Sequence, residues 1–210
     1  MEVLFFDTET TGTFSKDQKY DKDFEVFPHI VSISWKFKGV ETDLIVKPEG
    51  YEIPKECTEI HGISTEMALD KGVPLAFAID SFINDAINAD KIVAHNIYFD
   101  TSIVKANSLR LRMPYYYDKL VVPALDKEKR ICTMNKTIKF VGAKFPNGKG
   151  LKWPTLTELY QKLFNDNFEA HASINDVRAL ERCFDELVKQ GIILSLIHIS
   201  EPTRQAEISY

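Results

Sequence analysis

The stretch EVLFFDTETTG, residues 2–12, decides how this chain is read. EVLFF reads as a buried strand with an abrupt polar end at Asp7. Side chains alternate across a strand, so Asp7 and Glu9 leave the chain on the same side, their Cα atoms roughly 6–7 Å apart. Two like charges off a buried strand repel each other and stay ionised cheaply only beside a cation. Hard carboxylate oxygens suit Mg²⁺ or Mn²⁺. An isolated D-x-E also fits a solvated strand end, so the motif needs support from elsewhere in the chain.

Two further stretches supply it. Lys91–Ala94 (KIVA) reads as a short buried strand that runs into HNIYFD, which ends on Asp100 near a helix start. In a parallel-type sheet the strand carboxyl ends gather at one edge, where ligands bind. By itself Asp100 equally fits an acid placed against a helix dipole. In HASIND, His171 and Asp176 stand at i and i+5, about 1.4 turns apart if both are helical. They face one cavity if His171 sits on the loop or first turn leading into the helix. Histidine suits proton transfer near neutral pH and aspartate suits a metal; a capping histidine and a surface aspartate are the alternative. Four carboxylates and one histidine, with no cysteine among them, match what two-metal phosphoryl hydrolysis needs. There, two cations about 4 Å apart clamp the attacking and leaving oxygens while a base deprotonates the water.

Around these stretches the pattern is that of an α/β domain with a mixed sheet. Ile30–Phe37 alternates at period 2, and Lys38–Gly39 can turn it into a strand near Thr42–Val46. Thr13–His29 is a long charged loop. Helical spacing follows Pro74, with Phe77, Phe82, Ile83 and Ile87 as its apolar positions, and another helix follows His95-Asn96 through Leu109. Thr155 and Glu158 have capping-box spacing. The last helix covers about Ala172–Gln190, with Val177, Leu180, Phe184, Leu187 and Val188 as its stripe and Gly191 as its stop. Tyr115-Tyr116-Tyr117 reads as packing and surface loop, with base stacking as the alternative.

Taken in order, F-D-T-E-T-T-G (Phe6–Gly12), H-N-x-x-F-D (His95–Asp100) and H-x4-D (His171–Asp176) resemble the three motifs of the DEDDh branch of the DnaQ-like 3′–5′ exonucleases, a branch that includes proofreading subunits of bacterial DNA polymerases. The match runs from Phe6 to about Gln190, and I-H-G-I-S (Ile60–Ser64) resembles a stretch that recurs between the first two motifs. The resemblance implies a ribonuclease-H-like fold with a central five-stranded mixed sheet flanked by helices. It implies that Asp7, Glu9, Asp100 and Asp176 bind two Mg²⁺ or Mn²⁺ ions and that His171 is the general base. The implied reaction releases nucleoside 5′-monophosphates from single-stranded DNA 3′ ends. Thr10, His61, Asn96 and Phe99 are the implied substrate-binding residues, and a DNA polymerase is the implied candidate partner. A turn-ordering role for His61 is the alternative. Nothing in the residues reads a 2′-hydroxyl, so short RNA is an alternative substrate, and a catalytically silent binding module of a polymerase is an alternative function. Asn175 departs from the second aspartate that many members carry, outside the four ligands.

Composition sets the outer limits. The chain has 210 residues and a formal net charge of −5, which argues against a bulk electrostatic nucleic-acid coat. The stretch Lys129–Thr157, however, holds no Asp or Glu. It carries Lys129, Arg130, Lys136, Lys139, Lys144, Lys149 and Lys152 with Phe140, Phe145 and Trp153 interleaved, a candidate strip for phosphate contact or a solvated loop face. Three distant cysteines argue against a disulfide framework. No apolar run approaches the roughly 18 residues of a membrane span, and no signal peptide is visible. A cytoplasmic protein that contacts no membrane is expected. The domain is expected to span residues 1–193. LSLIHISEPTRQAEISY (194–210) resembles one reading frame of a transposase-type sequencing adapter and is expected to be a non-native tail.

Overall fold

Five strands form one sheet in the computed structural model, which describes residues 1–193: β1 (Val3–Thr10), β2 (Ile30–Phe37), β3 (Val40–Ile45), β4 (Lys91–Ala94) and β5 (Arg130–Cys132). The expected non-native tail, 194–210, lies outside the described residues. The spatial order is β3-β2-β1-β4-β5. β1 pairs antiparallel with β2, and β2 with β3, while β1–β4 and β4–β5 are parallel. The sheet is therefore mixed and five-stranded, as the resemblance implies. Residue patterning alone points to four strands, because β5 has three residues, too few to show a period.

β1 does not stop at Asp7. It continues to Thr10 because β2 offers backbone partners beyond that point: Asp7 lies opposite Ser34 and Glu9 opposite Ser32. The register slips between Glu9 and Thr10, an irregularity of the kind that re-aims side chains beside sites. β2 turns into β3 at Lys38 (φ 50°) and Gly39 (φ 77°), the two left-handed residues of a type I′ hairpin.

The helices are α1 (Lys55–His61), α2 (Thr65–Lys71), α3 (Leu75–Asn88), α4 (Ile97–Arg110), α5 (Pro114–Tyr116), α6 (Val122–Ala124), α7 (Thr133–Val141), α8 (Leu156–Phe164) and α9 (Ser173–Lys189). They cover both sheet faces. Leu4, Phe6, Ile33 and Trp35 pack with Ile79, Phe82 and Ile83 of α3 and with Ile103 and Val104 of α4. Phe5 and Val93 pack with Leu159 of α8 and with Val177, Leu180 and Phe184 of α9. By strand alternation Thr8 shares the first face, while Asp7 and Glu9 share the face that α9 covers.

Local sequence signals account for several element ends. IHGIS is a helix stop followed by a helix start: Gly62 closes α1 at φ 76°, and the Ser64 hydroxyl accepts from the Met67 N–H to open α2. Thr155 and Glu158 form the full capping box of α8. α9 ends in a Schellman motif, with the Gly191 N–H bonded to the Val188 carbonyl at 3.0 Å and the Ile192 N–H to the Leu187 carbonyl at 2.9 Å. Phe77 departs from its expected inward place and is exposed, while Phe82 and Ile83 of the same helix are buried. The tyrosine run is helical rather than loop: Tyr115 is exposed, and Tyr116 and Tyr117 pack on the core. The Thr13–His29 loop is pinned by Arg110, whose guanidinium donates to the carbonyls of Phe27 and Pro28, and by Phe14 stacked between Phe27 and Phe99. The three cysteines are free. Among the described residues no helix is long and apolar enough to cross a membrane.

Candidate active site

The three stretches meet at one sheet edge. Asp7, Glu9 and Asp176 each bring a carboxylate oxygen to a cluster whose members lie within 4.8 Å of one another. Asp7 and Glu9 arrive from β1, and Asp176 arrives from the first turn of α9. Asp100, in the first turn of α4, comes from the other face of the sheet and is held there by Thr8, whose hydroxyl donates to Asp100 Oδ1 at 2.8 Å. Asp100 is outside the tight triple but within electrostatic reach of it.

The electrostatics record the crowding. Burial, and then the charges of Asp100, Asp176 and Glu9, drives the Asp7 carboxyl well above the usual carboxylate range. Burial, with Asp176 and Asp100, pushes Glu9 up to about 8. Asp100 rises to about 7 through burial, against the opposing pull of the Thr8 hydroxyl. Asp176 rises to about 6 through burial, opposed by the N–H and the charge of His171. Every shift marks an anion that protein alone does not neutralise, and a hard divalent cation would reverse each of them. The donor set, all carboxylate oxygen, fits such a cation.

His171 lies on the loop two residues before α9, as the i, i+5 spacing requires. Its backbone N–H donates to Asp176 Oδ2 at 2.8 Å, and its φ is 69°. A non-glycine residue in the left-handed region is uncommon, and such strain concentrates at functional sites. The imidazole is exposed beside the Asp176 carboxylate.

The remaining expected contacts fall into two groups. Thr10 and His61 come together: the His61 ring is buried against the Thr10 backbone. His61 Nδ1 accepts from the Ile63 N–H at 3.1 Å, while among the described residues its Nε2 has no partner of good geometry. The ring thus orders the turn that follows α1, which is the turn-ordering reading of His61. Asn96 and Phe99 line a separate cavity at the start of α4.

Further residues around the cluster have structural roles. Ser173 at the start of α9 sits between Ser32 and Ser34 of β2, at 3.1 and 2.6 Å, and ties Asp176 to the sheet. His95 is a strut rather than a base. Its Nε2 lies 2.9 Å from the Pro154 carbonyl and its Nδ1 3.0 Å from the Thr133 hydroxyl, so Nε2–H donates and Nδ1 accepts. The basic strip is smaller than its sequence. Lys129 and Arg130 donate to backbone carbonyls, and Lys152 pairs with Glu158 at 2.7 Å. Lys136, Lys139, Lys144 and Lys149 are exposed and have no ion pair among the described residues.

Residues 4–184 match the family model RNase_T, described as exonuclease. No curated protein matches the chain. Among solved structures, the chain resembles exonuclease I from Methylocaldum szegediense (17% identity, TM-score 0.64, covering 90% of this chain and 40% of that one). It also resembles E. coli exonuclease I in complex with a dA16 oligonucleotide (18%, 0.67, 90% and 41%) and a product-bound exonuclease I (16%, 0.67, 90% and 43%). The chain thus spans about two fifths of the length of these proteins. The shared architecture is the ribonuclease-H-like sheet with its flanking helices.

Proposed function

Because the chain belongs to the RNase_T exonuclease family, we propose that it is a divalent-metal-dependent 3′–5′ exonuclease acting on single-stranded DNA ends. The observation that carries this reading is the triple Asp7, Glu9 and Asp176 within 4.8 Å, with Asp100 beside it and His171 at its rim. The dA16 oligonucleotide bound to E. coli exonuclease I supports DNA as the substrate. Asp7, Glu9, Asp100 and Asp176 would hold two Mg²⁺ or Mn²⁺ ions. Bound there, the ions would neutralise the carboxylates and stabilise charge developing on the phosphodiester oxygens.

The chain's own residues supply the rest. His171 takes a proton from the attacking water at its imidazole. The water oxygen forms a bond to the terminal phosphorus, and the bond from that phosphorus to the 3′ oxygen of the preceding nucleotide breaks, that oxygen leaving with the electron pair and taking a proton from solvent. The products are a nucleoside 5′-monophosphate and a strand shortened by one residue with a free 3′-hydroxyl. The His171 N–H holds Asp176, the Thr8 hydroxyl holds Asp100, and Thr10 with His61 forms the wall against which the terminal nucleotide rests. Domain limits of 1–193 accord with this reading, since α9, which carries Asp176, ends at Lys189.

The test uses DNA and RNA oligonucleotides labelled at the 3′ or the 5′ end, with Mg²⁺, Mn²⁺ or chelator. Early loss of the 3′ label, only with metal and faster on DNA, is the expected outcome. Faster loss from RNA would reassign the substrate, and full activity in Asp7→Ala or Asp176→Ala would sink the site.

A further inference from the structure

A cavity of about 530 Å³ opens at the start of α4, and four segments distant in sequence build it. Phe14 and Lys16 come from the long Thr13–His29 loop, Tyr98 and Phe99 from the first turn of α4, and Trp153 from the acid-free connection before α8, while the first turn of α7 supplies the fourth side. None of its lining residues is acidic. Phe99 immediately precedes Asp100, so the cavity begins one residue from a proposed metal ligand.

Packing explains only part of this aromatic group. Phe14 and Phe99 are half-buried and stack at 5.2 Å with 5° between their planes, which fixes one wall. Tyr98 and Trp153 are 57% and 54% exposed, so their faces are left to solvent. Lys16 Nζ lies 5.2 Å from the centre of the Trp153 ring, a cation–π contact that joins the two long connections across the opening. Exposed aromatic faces next to unpaired cations are what single-stranded nucleic acid recognises: bases stack and phosphates meet the charge. Lys136 and Lys139 of α7 and Lys144 and Lys149 beyond it extend the positive charge along the same connection.

We propose that this cavity holds unpaired bases of the strand just upstream of the scissile phosphate, stacked on Trp153 and Tyr98, with Lys16 meeting the backbone. The inference rests on the exonuclease reading and assigns its preference for single strands to named residues. A base inside a duplex is stacked on both faces and held by its partner, so bases upstream of the end reach Trp153 and Tyr98 only when the strand is single.

The two tryptophans make the test direct. Trp35 is 2% exposed and its indole N–H donates to Asp85 at 2.7 Å, so a ligand-induced change in tryptophan emission reports on Trp153. The full chain is titrated in chelator at low salt with an oligothymidylate, a blunt duplex of the same length, and thymidine 5′-monophosphate. The single strand is expected to quench emission, and the other two are not. Tyr98→Ala should weaken the apparent affinity about 5–100-fold. On adding Mn²⁺ the quench should decay as the strand is consumed. No quench in either condition while label is released overturns the cavity and leaves the exonuclease reading standing. A quench with no label release upholds strand binding and overturns the exonuclease reading. Equal quenching by the duplex overturns the selection for unpaired bases, and neither quench nor release overturns both.

Discussion

At His171 the backbone and the side chain have separable jobs. The N–H that holds Asp176 Oδ2 belongs to the main chain, so removing the imidazole leaves that hydrogen bond in place. His171→Ala is therefore expected to lower the rate by about 10²–10⁴-fold, the usual worth of a general base, with divalent-cation affinity kept. Isothermal titration beside single-turnover kinetics checks both halves; an equal loss of metal affinity would make His171 a ligand. Thr8 works in the opposite sense, through its side chain. Its hydroxyl pulls the Asp100 carboxyl below where burial alone would place it, to about 7. Thr8→Val should raise Asp100 further, so that at limiting metal the acid limb of the pH–rate profile moves to higher pH. An unmoved limb would show that Thr8 only packs. Nothing in the sequence marks Thr8, since alternation points it away from Asp7 and Glu9, and it meets Asp100 only because α4 packs on that face.

At the scale of elements, α9 decides whether the site closes. Its apolar stripe, Val177, Leu180, Phe184 and Leu187, is legible as a helical period and is buried as the period requires. The rotation and depth of its first turn are set differently, by the Ser173 hydroxyl wedged between Ser32 and Ser34 on β2. Ser34 in turn donates to Asp43 of β3 at 2.6 Å, so the network spans two strands. Ser173→Ala leaves buried hydroxyls short of a partner. It should cost about 1–3 kcal/mol, read as a lower urea midpoint, together with a lower rate as Asp176 loosens. Unchanged stability and rate would mean that the apolar stripe alone docks the helix. Serine is too common on strands for this network to stand out in sequence; it exists only where a strand and a distant helix start are brought face to face.

For the molecule as a whole, the net charge of −5 conceals a division. Carboxylates concentrate at one sheet edge, and lysines with no ion pair among the described residues lie along α7 and the connection to α8. Raised carboxylates bind protons in the folded state that the unfolded chain releases near pH 4. Without metal their contribution to stability is therefore lost as pH rises through about 6 for Asp176, about 7 for Asp100 and about 8 for Glu9. A divalent cation replaces those protons. Saturating Mn²⁺ should raise Tm by about 5–10 °C at pH 8.5, as expected of a ligand at ~100 times its Kd, and by much less at pH 5.5, where protons compete. An equal rise at both values would place the cation elsewhere. Activity should also fall as salt rises, and charge reversal at Lys144 and Lys149 should flatten that dependence. A salt slope unaltered by the reversal would remove the strip from the binding surface.

The sequence by itself determined which residues are candidates for the chemistry and the order of the elements that carry them. D-x-E after an apolar run, N-x-x-F-D after a short strand and H-x4-D before an amphipathic helix are local patterns, and local patterns are written in spacing. The capping box at Thr155 and the glycine stop at Gly191 are legible for the same reason. Tertiary structure alone decided the distances and the partners: that three carboxylates come within 4.8 Å, that Lys129 is spent on carbonyls of α3, and that Lys16 meets Trp153. Those contacts join segments separated by tens to more than a hundred residues. Their geometry follows from how helices settle on two faces of one sheet, a property of the packed whole that no window of sequence contains.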